Sequence, residues 1–366
     1  MDFTLTPEQL LIKDSVARFA AGDHKGDNWP QFAELGWLAI GAPDELGGFG
    51  GPLETLLIME QFGRGLVVSP YLSQAVLAGA LLRAAKREDL LAPVVEGESR
   101  YAVAYEEPHA RYDPAQVATT AVRDGETYVL TGTKVRVLDA TTATAIVVSA
   151  RTGDEVTLFA VPASAENLTV TPYASEDGHD VADVRLDAVR VDGASMIGSF
   201  GEGLSLLGLA LDHATAALCG EALGLMAVML EATVQYTKQR QQFGVPISSF
   251  QALQHRMAEM FIEVELARSM AYLAAMTLDE QHDDSVTRAR GISAAKVQIA
   301  KSGRFVGQSA IQLHGGIGMS EEYKVGHYFK RMTLVERLLG DTDYHLSRYL
   351  ECRRAKAETP AEATVA

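Results

Sequence analysis

Two stretches of the sequence carry residue types whose spacing permits chemistry. The first is Thr237-Lys238-Gln239-Arg240-Gln241-Gln242-Phe243-Gly244-Val245-Pro246-Ile247-Ser248-Ser249-Phe250-Gln251. It reads as a helix end bearing an arginine, a Gly-Val-Pro turn, and a new helix that starts after two serines. An arginine beside the free amides of a helix start can hold a phosphate. A capped turn between two helices fits the same residues, and both readings stand at this point. The second stretch is Gln312-Leu313-His314-Gly315-Gly316-Ile317-Gly318-Met319. Its glycines fit a left-handed cap at a helix C-terminus. They also fit a place where a ligand approaches the backbone closely.

The remaining chemistry-bearing residues point to less. Cys219 and Cys352 are too few for a disulfide framework or a zinc site. Asp341, Asp343 and His345 are ligand types, but no further cluster accompanies them, so no metal site is expected. His213 and His314 read as packed or hydrogen-bonded side chains rather than as acid–base groups.

The elements that must position these stretches change texture twice along the chain. Residues 1–98 read as helical. Thr6-Pro7-Glu8-Gln9 offers an N-cap, a proline at the first helical position and an acid in the first turn. Leu53 to Phe62 and Tyr71 to Lys86 read as further helices. Over residues 99–198 the period becomes two, with short β-branched runs at Thr127 to Leu130, Lys134 to Leu138, Ala145 to Ala150, Val156 to Val161 and Val184 to Val191. Asp124-Gly125, Thr131-Gly132 and Gly153-Asp154 read as the turns between runs. Residues 199–355 are helical again. Leu253, Met257, Met260, Phe261 and Val264 form an apolar stripe, and long helices with short loops make a four-helix bundle. Residues 356–366, with almost no apolar anchors, are expected to be a disordered tail. The fold class is therefore mainly α with a central β domain.

The 366 residues suit two or three packed units. Hydrophobic residues at 47% and charged residues at 22% make a globular composition. A formal net charge of −16 argues against non-specific nucleic-acid binding, where basic patches supply the affinity. It leaves room for an anionic ligand held by a few basic groups and backbone amides. The start is neither basic nor followed by an apolar core, and runs such as Leu204 to Leu211 fall short of the ~20 residues of a membrane helix. A cytoplasmic chain without a membrane span is expected.

Together and in this order, the two stretches resemble the acyl-CoA dehydrogenase family, whose pattern is Arg-x-x-Phe-Gly, a Phe-Gln pair and Gln-x-x-Gly-Gly-x-Gly. The resemblance extends to Phe3 to Gln9, to the loop of Ala42, Pro43, Leu46, Gly47 and Gly48, to the position of the β domain, and to His327-Tyr328-Phe329-Lys330. It implies the acyl-CoA dehydrogenase fold: an N-terminal helical domain, a small β-barrel domain and a C-terminal four-helix bundle. It implies FAD across a subunit interface and removal of two hydrogens beside a CoA thioester. In that chemistry a carboxylate takes the α-proton and the flavin takes the β-hydride.

Carried over residue by residue, the resemblance is uneven. The positions that lend a neighbouring subunit contacts to its flavin match here as Arg240, Gln242, Phe243, Phe250, Gln251, Gln312, Gly315 and Gly316. The family's own-ring loop, Thr-Glu-Pro-x-Ala-Gly-Ser-Asp, is replaced by Glu106-Glu107-Pro108-His109-Ala110-Arg111-Tyr112-Asp113. Its flavin-side tryptophan and threonine become Arg136 and Leu138. The two places where members carry the base are Leu339 and Ala214, so the catalytic residue is unknown. This pattern implies the smaller, partner-dependent subunit of a heteromeric acyl-CoA dehydrogenase, similar to those used on dicarboxylyl-CoA or steroid side-chain CoA esters. Its partners would be an acyl-CoA substrate, a second dehydrogenase subunit in a heterotetramer, and an electron-transfer flavoprotein as acceptor. Two other readings remain open: a self-sufficient homomer with Asp341 as base, and a non-enzymatic acyl-CoA-binding or scaffold protein of the same fold.

Overall fold

A computed structural model describes residues 4–22, 24, 26–280 and 284–358. In chain order the helices are α1 (Pro7–Ala21), α2 (Trp29–Glu34), α3 (Pro52–Gly65), α4 (Ala78–Ala84), α5 (Glu88–Val95), α6 (Gly203–Gln239), α7 (Gln251–Glu280), α8 (Ser285–His314), α9 (Lys324–Arg337) and α10 (Thr342–Glu358). Thr6 caps α1 as expected. Its hydroxyl accepts the Gln9 N–H at 3.2 Å, and the Gln9 side chain accepts the Thr6 N–H at 2.9 Å. The helix expected over Tyr71 to Lys86 begins instead as a wider π-helical turn, Tyr71–Leu77, that runs into α4. Phe3, the first residue of the opening motif, and residues 359–366 of the expected tail lie outside the described residues. Residues 356–358 of that tail continue α10.

The strands are β1 (Tyr101–Ala104), β2 (Thr120–Asp124), β3 (Thr127–Leu138), β4 (Ala145–Thr152), β5 (Glu155–Pro162), β6 (Leu168–Ala174), β7 (Asp180–Asp192) and β8 (Met196–Ile197). They form one eight-stranded sheet in the order β6-β7-β3-β2-β4-β5-β8, with β1 running parallel to β4. Asp124-Gly125 turns the β2–β3 hairpin, as the sequence implies. Thr131-Gly132 is not a turn. It lies inside β3, where the register against β7 shifts between Leu130 and Gly132. The backbone of Thr119 passes so close to Gly132 that an added Cβ would stand 2.7 Å from its Cα, which explains a glycine within a strand. The sheet encloses Leu130, Val137, Ile146, Val148, Phe159, Val161, Val184 and Val189, all buried. Burying each such side chain stabilises the fold by about 1.5–3 kcal/mol.

The described chain divides into two compact units. One comprises Met1–Gly22, Pro52–Leu66 and Thr215–Ala366, and the other Asp23–Gly51 and Val67–Ala214. In the first, α8 packs against α7, α9 and α10, and α3 against α1 and α7. A buried ion pair ties α6 to α9: Arg331 donates to both carboxylate oxygens of Glu221, at 2.5 and 2.9 Å. The apolar run of Leu204 to Leu211 is part of a much longer apolar helix. By length and composition α6 is sufficient to cross a membrane, but 72% of its most apolar window is buried inside the protein. Its hydrophobicity is that of a core helix.

Candidate functional site

The C-terminal ends of α6 and α8 carry the two stretches singled out in the sequence. Beyond α6 the chain forms a two-residue hairpin, β9 (Gln241–Gln242) against β10 (Val245–Pro246). Phe243 and Gly244 turn it with φ of 54° and 81°, the pair of positive values that a type I′ turn requires. The turn projects Phe243, which is 91% exposed, and its ring meets Phe250 edge-on at 6.3 Å. Phe250 then opens α7, its carbonyl accepting the Leu253 and Gln254 N–H groups. The Arg240 backbone is fixed from both sides, its N–H donating to Tyr236 O and its carbonyl accepting from Ile247, each at 2.8 Å. Its side chain is exposed and makes no hydrogen bond or ion pair among the described residues. Gln242 and Gln251 are exposed on the same hairpin and helix start.

Gly315 ends α8 with φ 62° and ψ −143°, a conformation suited to glycine. A Cβ added at Gly315 or Gly316 would meet nothing within 4 Å, and both glycines and Gln312 are exposed. The two stretches are drawn together by a stack: the Tyr236 ring, one turn before Arg240, lies 4.5 Å from the His314 ring, next to Gly315. His314 is buried, and its Nδ1 bonds the Ala310 carbonyl at 2.8 Å. Burial holds its pKa below the ordinary imidazole value. It is a packed spacer, as the sequence implies. Tyr236 is a contributor that the sequence reading missed, because a lone tyrosine on a helix gives no sign of its long-range ring partner.

The two positions expected from the resemblance to hold a base carry no titratable group. Ala214 is fully buried, and Leu339 is nearly so, in a left-handed conformation at φ 58°. Asp341 is used locally: its Oδ1 accepts the Tyr344 N–H at 2.9 Å and caps α10. The Leu339–Asp341 turn is held by two groups that the sequence did not mark. Lys296 Nζ donates to the carbonyls of Val335 at 2.6 Å and Leu338 at 2.8 Å. His345 Nε2 lies 3.0 Å from Leu339 O. Burial lowers the Lys296 pKa to about 8 and that of His345 to about 3. No group of metal-ligating residues forms among the described residues.

The altered loop, Glu106 to Asp113, lies in the other unit, over a cavity of about 460 Å³ lined by Glu107, Arg111, Tyr112, Arg136, Tyr173 and Asp183, among others. Its two glutamates are matched by basic groups of β3. Arg136 Nε donates to Glu106 Oε2 at 2.8 Å, a second nitrogen completes the pair, and the guanidinium lies over the Tyr112 ring at 5.7 Å. Burial raises the Glu106 pKa, and the Arg136 charge limits that rise. Glu107 is buried with Lys134, whose Nζ donates to its Oε1 at 2.7 Å and to Ser149 Oγ at 2.9 Å. The Ala118 and Thr119 amides donate to the same carboxylate. Burial works against ionisation of Glu107, but these donors prevail and hold its pKa low. Arg111 and Arg136 both adopt positive φ, at 50° and 55°, strain of a kind that concentrates at functional sites.

These two regions differ as places for a flavin. The open glycine face and the unpaired Arg240 fit a nucleotide's pyrophosphate: a planar fork is a donor set that such a group takes, and glycines without a Cβ let it come close to the backbone. The Glu106–Arg136 region does not fit an isoalloxazine ring. A carboxylate and a guanidinium, already bonded to each other, leave no flat apolar face for the ring to lie against.

Three family models match the chain: "Acyl-CoA dehydrogenase, N-terminal domain" over residues 6–98, "Acyl-CoA dehydrogenase, middle domain" over 102–189, and "Acyl-CoA dehydrogenase, C-terminal domain" over 201–351. The probable acyl-CoA dehydrogenase YngJ of Bacillus subtilis is 29% identical, over 97% of this chain and 99% of its own. Among solved structures, the steroid ACAD G363A variant of Tcur3481-Tcur3483 superposes with a TM-score of 0.85 at 28% identity, over 97% of this chain and all of that one. The ChsE4-ChsE5 complex from Mycobacterium tuberculosis superposes with a TM-score of 0.83 at 26% identity, over 99% of this chain and all of that one.

Proposed function

The chain belongs to the acyl-CoA dehydrogenase family, and from that premise we propose that it is the partner-dependent subunit of a heteromeric enzyme that dehydrogenates an acyl-CoA thioester between Cα and Cβ. FAD is the family's cofactor, and when bound it supplies the acceptor for the hydride that leaves Cβ. In this reading Arg240, Gln242, Phe243, Phe250, Gln251, Gln312, Gly315 and Gly316 are lent to FAD held mainly by the second subunit. Arg240 neutralises phosphate charge, Gly315 and Gly316 let the nucleotide come close to the backbone, and Phe243 shields it from water. The α-proton is taken by a carboxylate of the partner. Two solved relatives carry paired names, Tcur3481-Tcur3483 and ChsE4-ChsE5, which supports a heterotetramer of two such chains. The first is a steroid dehydrogenase of this family, which supports a bulky lipid or steroid acyl group. β-Oxidation in the cytoplasm, with an electron-transfer flavoprotein as acceptor, completes this reading.

The observation that carries this reading is the asymmetry between the halves. Arg240 is exposed and unpaired, whereas Glu106 and Arg136 bond each other, and leucine and alanine occupy the base positions. The self-sufficient alternative would need Asp341, whose Oδ1 is engaged in capping α10. The test is co-expression with the dehydrogenase-like chains encoded nearby, followed by flavin absorbance and subunit ratio in what co-purifies. One FAD per pair of chains is expected. One per chain, or a chain that alone binds FAD stoichiometrically and turns over acyl-CoA, would overturn the proposal.

A further inference from the structure

Arg83 lies in the last turn of α4, yet its guanidinium does not reach the helix's C-terminal carbonyls. It folds back toward the N-terminus, where Nη1 stands 3.2 Å from the place a Cβ on Gly79 would take. On its other side, Cζ and Nη2 lie 3.6 Å from the place a Cβ on Gly41 would take. A Cβ at Gly79 would press on the guanidinium, and one at Gly41 would be in van der Waals contact with it. The buried Tyr71 is its electrostatic neighbour, but the Tyr71 hydroxyl already donates to the Trp37 carbonyl at 3.0 Å.

Within this cradle Arg83 makes no hydrogen bond and no ion pair among the described residues. Arg331, a buried arginine of the other unit, has Glu221 on two of its nitrogens. Burial lowers the Arg83 pKa to about 10, so the group stays charged at neutral pH. The side chain also keeps part of its surface in contact with solvent. A largely desolvated cation with no counter-charge is unfavourable unless something from outside supplies one. Its five donors in a planar fork match an oxyanion.

We propose that Arg83, in the cradle left by Gly41 and Gly79, is a binding site for an external oxyanion, a carboxylate or a phosphate group. The proposal does not depend on the subunit's role in catalysis. Thermal unfolding of the full chain in chloride, inorganic phosphate or glutarate at matched ionic strength tests it. Phosphate or glutarate is expected to raise Tm saturably over chloride, by about 2 °C or more at tenfold its Kd. Arg83→Met should abolish that rise while melting no lower than the parent in chloride. Should Arg83→Met fail to fold, Arg83→Lys is expected to keep the fold and weaken the response, since it retains the charge and loses the fork. A response to phosphate alone identifies a phosphoryl ligand, and a response to glutarate identifies a carboxylate. Equal melting in all three salts, or a response that survives Arg83→Met, overturns the site.

Discussion

The hairpin after α6 leaves its arginine, phenylalanine and glutamines free in solvent, whereas the two glutamates of the loop after β1 are matched by Arg136 and Lys134 of β3. Both regions are rich in groups that bind ligands, and they differ in whether those groups are already satisfied. Arg240 has vacant donors, and the face of Gly315-Gly316 has vacant space. Glu106 has Arg136, and Glu107 has Lys134 together with two backbone amides. A polar group whose partner comes from its own chain contributes to the fold, and one left open is available to another molecule.

The comparison is tested most sharply at the buried pair. Glu107→Ala leaves Lys134 fully buried with Ser149 alone, which should cost about 3–5 kcal/mol of stability in a denaturant melt. A loss under about 1 kcal/mol would mean that this pair does not close the region. On the open side, Arg240→Ala should leave the free chain's stability within about 0.5 kcal/mol of the parent. In the co-purified complex it should weaken FAD binding by about 1.5–3 kcal/mol, the value of a hydrogen bond to a charged group. A destabilised free chain with unchanged flavin content would reverse the assignment of that half.

Acid titration separates the base-less turn from both halves. His345 is neutral in the fold, with its pKa depressed to about 3 by burial, so folding disfavours its protonated form. Its contribution is complete above the ordinary imidazole value near 6.5 and is lost as pH falls from there toward 3, by about 1.4 kcal/mol per pH unit. His345→Gln should flatten that part of the stability profile, and an unchanged slope would place the sensitivity elsewhere. A small stability effect is also expected at the partly exposed pair. With Arg136 51% exposed, Arg136→Ala should change stability by only about 0–1 kcal/mol. The combination of Glu106→Thr, Arg136→Trp and Leu138→Thr should raise the flavin content of the complex above one per pair. No gain in flavin would show that something other than this ion pair excludes the ring.

Much of the fold is legible in short windows. Thr6 and Pro7 announce α1, Asp124-Gly125 announces a hairpin, and a period of two marks the β region, because caps, turns and periodicity are local. Thr131-Gly132 misleads for the same reason: the dipeptide is a turn signal, but the close passage of Thr119 makes Gly132 a strand residue. The contacts that hold the candidate site were not legible. Lys134 meets Glu107 across 27 residues and Lys296 meets Leu338 across 42, and nothing near either lysine in sequence marks its partner.

The sequence alone determined which chemistries this chain can supply. Leucine at 339 and alanine at 214 have no titratable atom, and no packing gives them one. Arginine at 240 likewise brings a charge, and glycine at 315 and 316 a backbone without a Cβ, wherever they are placed. Only the tertiary structure decided which charges are consumed. Glu106 is matched by Arg136, and Asp341 is drawn into a helix cap, while Arg240 and Arg83 are left without counter-charges. The physical reason is that hydrogen bonds and ion pairs act only at contact distance. Which groups reach that distance is set by the packing of helices and strands remote from one another in the chain.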